Sequence, residues 1–245
     1  MKRYGLIGRT LAHSFSARYF TEKFRREGLD KEYSYELFEL PEIGCVEKLI
    51  NDTPDLAGFN VTIPYKQQII PHLDALDAEA QAIGAVNCVK IADGHRTGYN
   101  TDIAGIRVSL DELLGSETVD AALVLGTGGA SQAVQYVLAQ RDIPFAIVSR
   151  DAAKGNYTYD DLDSEAISTH HLVINTTPVG MYPKVDQAPE IPYELLTPSH
   201  RLFDLIYNPE QTLFARRGAE RGARTMTGLR MLYAQAEAAW RIWNE

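Results

Sequence analysis

Apolar and polar positions in this chain fall into blocks whose period switches between that of strands and that of helices. The clearest block is Val119-Asp120-Ala121-Ala122-Leu123-Val124-Leu125, an apolar strand that breaks at Gly126-Thr127-Gly128-Gly129-Ala130-Ser131. Residues 131–141 follow as a helix and residues 145–148 as the next strand. Further on, residues 172–174 and 202–206 read as strands, 212–221 as a helix and 223–225 as a short last strand. The first hundred residues alternate in the same way. Strands are predicted at 4–8, 33–40 and 57–62, and a helix at 16–27 that stops at Gly28. Pro41 is expected to open a helix reaching about Asn51, and Pro64 a shorter one. Residues 85–91 and 95–99 flank Asp93-Gly94, a hairpin signal. At the end, Leu229, Leu232, Ala236, Ala239, Trp240 and Trp243 form one apolar stripe of a helix over 229–243. Gln235 lies about 80° from the stripe centre at 100° per residue, so it can face a cleft while the stripe is buried.

The pattern predicts an α/β protein with two α/β units. The first is residues 1–102 plus 227–245, and the second is a Rossmann-like unit over 103–226. Gly126 permits a sharp exit from the strand, and Gly128 lets backbone approach a pyrophosphate. The free N–H groups opening the next helix then face the anion. The turn departs from GxGxxG, because Ser131 replaces the third glycine. A tight turn that binds nothing is the alternative reading. An NAD site usually ends its second strand in a carboxylate, whereas this window reads Ser149-Arg150-Asp151. Arg150 can fork onto a 2′-phosphate, and Lys154 adds a second positive charge. These residues point to NADP. Asp151, beside Arg150, keeps NAD open.

Composition narrows the classes further. A chain of 245 residues, 45% hydrophobic and 23% charged, can bury one large core or two small ones. A net charge of −9 argues against a nucleic-acid partner but allows anionic ligands held by local cations. Cys45 and Cys88 have no CxxC partner, and none of the six histidines shows metal-ligand spacing, so no metal is expected. Nothing resembles a signal peptide or a membrane span. A cytoplasmic monomer or homodimer acting on a small molecule is the expectation.

Ligands of open parallel sheets sit beyond the carboxyl ends of the strands. Polar groups cluster there in His13-Ser14-Phe15-Ser16, Asn60-Val61-Thr62-Ile63-Pro64-Tyr65-Lys66, Gly84-Ala85-Val86-Asn87 and Asn100-Thr101-Asp102. Helix caps and a satisfied core amide are the plainer readings. Together, though, these groups supply the hydroxyls, amide, ammonium and carboxylate that a small polyhydroxylated ligand needs.

The same segments resemble the shikimate dehydrogenase family, over nearly the whole chain. So do Gly126-Thr127-Gly128-Gly129-Ala130, Asn175-Thr176-Thr177-Pro178-Val179-Gly180-Met181, Tyr207-Asn208-Pro209 and Thr227-Gly228-Leu229 through Gln235. The resemblance implies NADPH-dependent reduction of 3-dehydroshikimate. It implies a substrate site lined by Ser14, Ser16, Thr62, Asn87, Asp102, Tyr207 and Gln235, the serine pair taking the substrate carboxylate. It also implies a last helix that returns to the first domain. Cofactor contacts are expected from Gly126 through Ala130, Ser149, Arg150, Lys154, Thr176 and Gly228. Ala17 departs from the family's usual proline, Ser149-Arg150-Asp151 from its Asn-Arg-Thr, and residues 151–162 form a shorter segment than is common.

Ketone reduction builds negative charge on oxygen, so a proton donor is needed there. Lys66 is the candidate acid/base. Asp102 is expected to orient its ammonium and to accept from a substrate hydroxyl. An NAD-using quinate/shikimate dehydrogenase shares these residues. A non-catalytic dinucleotide-binding regulator would have no need of Lys66 and Asp102.

Overall fold

The structure, a computed structural model, describes residues 1–11 and 14–245. It divides into two compact units, Met1–Thr101 with Ala236–Glu245, and Asp102–Gln235.

In the first unit, β1 (Lys2–Gly8) leads through α1 (Phe15–Glu27) to β2 (Tyr33–Glu39), and α2 (Val46–Asp52) leads to β3 (Leu56–Val61). A two-residue strand β4 (Ala75–Leu76), helix α3 (Ala78–Ile83) and the hairpin β5 (Cys88–Ala92) and β6 (His95–Tyr99) follow. The described strands form one sheet in the order β2-β1-β3-β5-β6-β4. β1 is parallel to both neighbours, while β5 runs antiparallel to β3 and β6. One cluster of this unit joins Ile7, Phe59, Val61, Tyr65, Ile69, Val86 and Val89. Another joins Tyr4, Leu6, Phe20, Phe24, Tyr35, Ala236, Ala239 and Trp243. Trp243 stacks on Tyr4 with ring centroids 4.6 Å apart and donates its indole N–H to the Val89 carbonyl at 3.0 Å. The buried Lys23 ammonium pairs with Glu237 at 2.9 Å. The chain's last ten residues are thereby fixed to the first sheet.

The second unit runs α4 (Asp102–Leu114), β7 (Ala122–Leu125), α5 (Gly129–Gln140), β8 (Phe145–Val148), α6 (Ser164–Thr169) and β9 (Leu172–Asn175). It continues with β10 (Arg201–Asp204), α7 (Leu213–Glu220) and β11 (Arg224–Met226). Every described pair in its sheet, ordered β11-β10-β9-β7-β8, is parallel. β7 has β8 on one side and β9 on the other, so the strand order reverses there. That is the crevice where doubly wound sheets bind ligands. Helix α8 (Leu229–Asn244) crosses the division between the units at Gln235.

Several expected elements differ. Pro41 does not open a helix. Glu42 is extended, and a single 3-10 turn at Ile43–Cys45 precedes α2. Pro64 leads into turns instead of a helix, because Val86 N–H takes the Lys66 carbonyl at 2.7 Å, away from the i+4 donor. Asn87 lies before β5, not inside it, and its side-chain oxygen receives Thr101 N–H. β7 starts at Ala122, not Val119, because its partners Phe145 and Leu172 begin opposite Ala122. α3, α6 and β4 were not expected. The two helices open at the aspartate caps Asp77 and Asp163 but have only six residues each, too short for a periodic stripe.

Candidate active site

The glycine turn takes the conformation its sequence demands. Gly126 has φ +109, and a Cβ there would stand 2.8 Å from Thr176 Oγ1. Both features exclude a larger residue. Gly128 and Gly129 have nothing within 4 Å of a Cβ position, so bare backbone faces open space at the start of α5. Its N-cap, Gly128, has no side chain to cap that start. Its first N–H groups and the two glycines fit a pyrophosphate. Ser131, where the general dinucleotide-binding pattern GxGxxG has glycine, is fully buried and donates to the Gly126 carbonyl at 2.7 Å. It straps the turn instead of loosening it.

Thr176 follows β9, the neighbour of β7, and donates to the Leu125 carbonyl at 2.6 Å. Its loop is held from below. Asn175 donates to Asp204 at 3.0 Å and accepts from Thr177 through N–H at 3.0 Å and hydroxyl at 2.7 Å. Asp204 also accepts from Thr212 at 2.6 Å and from Ile206 N–H at 3.1 Å. Burial pushes its carboxyl up to about 6 against these three donors. Gly228 lies under the Leu205 carbonyl with no room for a Cβ, and donates to Ile206 O at 2.9 Å.

At the end of β8, Ser149 is buried and accepts from Asp151 N–H at 3.1 Å. Asp151 accepts from Ala153 N–H at 3.1 Å and pairs with Lys154 at 3.3 Å. Those two bonds, the backbone one foremost, hold its carboxyl below the usual range. Lys154 therefore stands with Asp151, while Arg150 is exposed and makes no ion pair among the described residues. Tyr207 follows β10 half-buried, and burial raises its phenol. Gln235, on α8, donates to the Leu232 carbonyl at 3.1 Å.

In the first unit, register brings the other candidates to one end of the sheet. Ile7 pairs with Val61, Asn60 with Cys88, and Cys88 with Tyr99. The exits of β1, β3 and β6 and the entry of β5 thus share an edge. Ser14 caps α1 and accepts from Ser16 N–H at 3.2 Å. Thr62 N–H donates to Ile7 O at 3.0 Å, and Thr62 O accepts from Tyr65 N–H at 2.9 Å. Tyr65 is fully buried and donates to Leu40 O at 2.6 Å, which anchors the turn carrying Lys66. Asn87 is buried, with Oδ1 accepting from Thr101 N–H at 2.6 Å and hydroxyl at 3.2 Å. Asp102 follows Thr101 directly, as the first residue of α4, and is buried. His13, which opens the serine motif, lies outside the described residues.

The family model for the shikimate dehydrogenase substrate binding domain matches residues 6–89. A shikimate dehydrogenase (NADP(+)) of Methanococcus maripaludis is 36% identical over 99% of this chain and 91% of its own length. This chain belongs to the shikimate dehydrogenase family. Among solved structures, the Thermus thermophilus shikimate 5-dehydrogenase in complex with NADP(H) and shikimate superposes with a TM-score of 0.87. It is 32% identical, over 99% of this chain and 93% of that one. A quinate dehydrogenase from Corynebacterium glutamicum in complex with NAD is also similar, at TM-score 0.86 and 26% identity over 99% and 93%. The family scaffold therefore carries more than one cofactor and substrate pairing.

Three groups of site residues escaped sequence reading. Ser131, the pair Tyr35 and Asn60, and the Asn175, Asp204 and Thr212 cluster all act through buried hydrogen bonds. A polar residue within an apolar strand was the available signal. Asn60 on β3, Asn175 on β9 and Asp204 on β10 each carry it.

Proposed function

We propose that this protein catalyses the NADP-dependent, reversible reduction of 3-dehydroshikimate to shikimate, with Lys66 as general acid/base and Asp102 assisting. The observation that carries this reading is the shared sheet edge that holds Ser14, Thr62, the Lys66 turn and Asn87. NADPH, when bound, supplies hydride to the carbonyl carbon. Charge then builds on the oxygen, and Lys66 Nζ donates the proton that quenches it; in the oxidative direction Nζ takes that proton back. Asp102 orients the ammonium and accepts from a substrate hydroxyl. Ser14 and Ser16 supply hydroxyl donors for the substrate carboxylate. Asn87, whose Oδ1 accepts from Thr101, is the amide assigned to a ring hydroxyl. Thr62, Tyr207 and Gln235 complete the polar set. In this reading residues 1–102 and 227–245 form the substrate-binding unit and 103–226 the dinucleotide-binding unit, with cofactor contacts from residues 126–130, Ser149, Arg150, Lys154 and Thr176, joined by Gly228.

Asp151 is the residue that favours NAD, and its hydrogen bond to Ala153 and pair with Lys154 support NADP instead. The carboxylate is engaged within its own turn, and Arg150 is exposed to receive a 2′-phosphate. Cys45 and Cys88 are free thiols, which fits a reducing, cytoplasmic setting. Lys66→Ala is the direct test of mechanism. Its kcat should fall roughly 10²–10⁴-fold with unchanged thermal unfolding. Near-wild-type turnover by the purified variant would remove Lys66 from the acid/base role.

A further inference from the structure

The last residues of four strands form one row across the second sheet. Val148 on β8 pairs with Leu125 on β7, Leu125 with Asn175 on β9, and Asn175 with Asp204 on β10. The two polar members, Asn175 and Asp204, are fully buried and bonded to each other at 3.0 Å. The direction of that bond is fixed. Asp204 accepts from Ile206 N–H and from the Thr212 hydroxyl, and a carboxylate offers only acceptors, so Asn175 turns Nδ2 toward it. Asn175 Oδ1 then faces Thr177, whose N–H and hydroxyl donate to it at 3.0 Å and 2.7 Å. The Thr177 hydroxyl in turn accepts from Val179 N–H at 3.3 Å.

Thr176 stands between these two bonded residues and closes on the glycine turn. Its N–H and its hydroxyl both donate to the Leu125 carbonyl, at 3.0 Å and 2.6 Å. Its Oγ1 would lie 2.8 Å from a Cβ on Gly126. The contact falls between β7 and β9, where the strand order reverses.

Stability alone does not call for this arrangement. Burial pushes the Asp204 carboxyl up to about 6, so near neutral pH its ionised form is held at a cost. An apolar pair of similar shape would avoid that cost. What the polar pair adds is direction. It sets which atom of Asn175 faces Thr177, and so how the loop after β9 meets the turn.

We propose that Asn175 and Asp204 are positioning residues for the dinucleotide: they hold Thr176 against the glycine turn, and so set the affinity for the part that NADP and NAD share. This rests on the cofactor reading given above. Both residues are buried beneath the loop and act through Thr176, not by touching the cofactor.

The test is equilibrium titration with NADP and with NAD of the wild type, Asn175→Ala, Asp204→Leu and Asp204→Asn, beside thermal unfolding of each. Asn175→Ala and Asp204→Leu should raise both Kd values about 3- to 10-fold, the worth of one buried hydrogen bond, by factors equal within about twofold. The shikimate KM at saturating NADP should stay within about twofold. Asp204→Asn keeps an oxygen for Asn175 and Ile206, and its affinities should stay within about twofold of wild type. A loss confined to NADP would place the effect at the 2′-phosphate and overturn the proposal. Unchanged Kd values in Asn175→Ala, with or without a lower unfolding temperature, would make the pair structural and overturn it too. So would equal losses in the two Asp204 variants, since the acceptor would then not matter. Should Asn175→Ala and Asp204→Leu not fold, Thr177→Val removes only a hydroxyl and should weaken both cofactors about threefold. No loss there, or no folded protein, overturns the proposal. If the wild type binds neither dinucleotide, the cofactor reading itself fails and takes the positioning role with it.

Discussion

Arg150 and Asp151 are adjacent in sequence and opposite in charge, and in the proposed reading their different surroundings set the cofactor preference. Asp151 closes on Ala153 N–H and Lys154, while Arg150 stays exposed. Arg150→Ala should therefore cost about 1.5–3 kcal/mol of NADP affinity, the scale of a charge-assisted hydrogen bond, and little for NAD. Titrations with both cofactors check this, and equal losses would mean Arg150 does not read the 2′-phosphate. Asp204 makes a second prediction at this scale. Its folded pKa of about 6 lies above the ordinary carboxylate value because burial outweighs its three donors. The folded state thus holds the proton more tightly than the unfolded chain. The associated stability is fully present below about pH 4 and is lost as pH rises through about 6, on the order of 3 kcal/mol at most. Asp204→Asn should remove that component. Urea midpoints at pH 4.5 and 7 should differ by a smaller or reversed amount in the variant. The same pH difference in both proteins would show that Asp204 does not titrate in this window.

At the scale of elements, the glycine turn and the strand before it were legible because backbone geometry imposes residue type directly. Gly126 has positive φ beside Thr176, and sequence alone marks that need. Gly126→Ala should destabilise the second unit by more than about 1 kcal/mol and weaken both cofactors, measured by thermal unfolding and dinucleotide titration. Unaltered affinity would mean the turn does not hold the pyrophosphate. The turns after Pro64 were not legible as turns. Pro64 carries a helix-opening signal, and what overrides it is a bond from Val86, distant in sequence. The short α3 and α6 lack the length for periodicity, and only their aspartate caps announce them. Of the candidate site, the groups at strand ends were legible from position. The buried polar supports were not, because Tyr35, Asn60 and Asp204 gain meaning only through partners that register supplies.

At the scale of the whole molecule, a chain of net charge −9 is proposed to hold two anionic ligands. Local placement resolves the contrast: an uncapped helix start with bare glycines, an exposed Arg150 and the Lys66 turn act over distances at which the global field is screened. Helix α8 connects the units in sequence, with Gln235 as the last residue of one and Ala236 the first of the other. The apolar stripe read from sequence ends in Trp243, seated on Tyr4, and Glu237 adds an ion pair to Lys23. The family scaffold serves NADP with shikimate in the Thermus thermophilus enzyme and NAD in the Corynebacterium glutamicum quinate dehydrogenase. The most direct test is therefore oxidation of shikimate by the wild-type protein with NADP and NAD in parallel, followed by absorbance of the reduced cofactor. Turnover with a strong preference for NADP is expected. Comparable or faster turnover with NAD, or none with either, would contradict it.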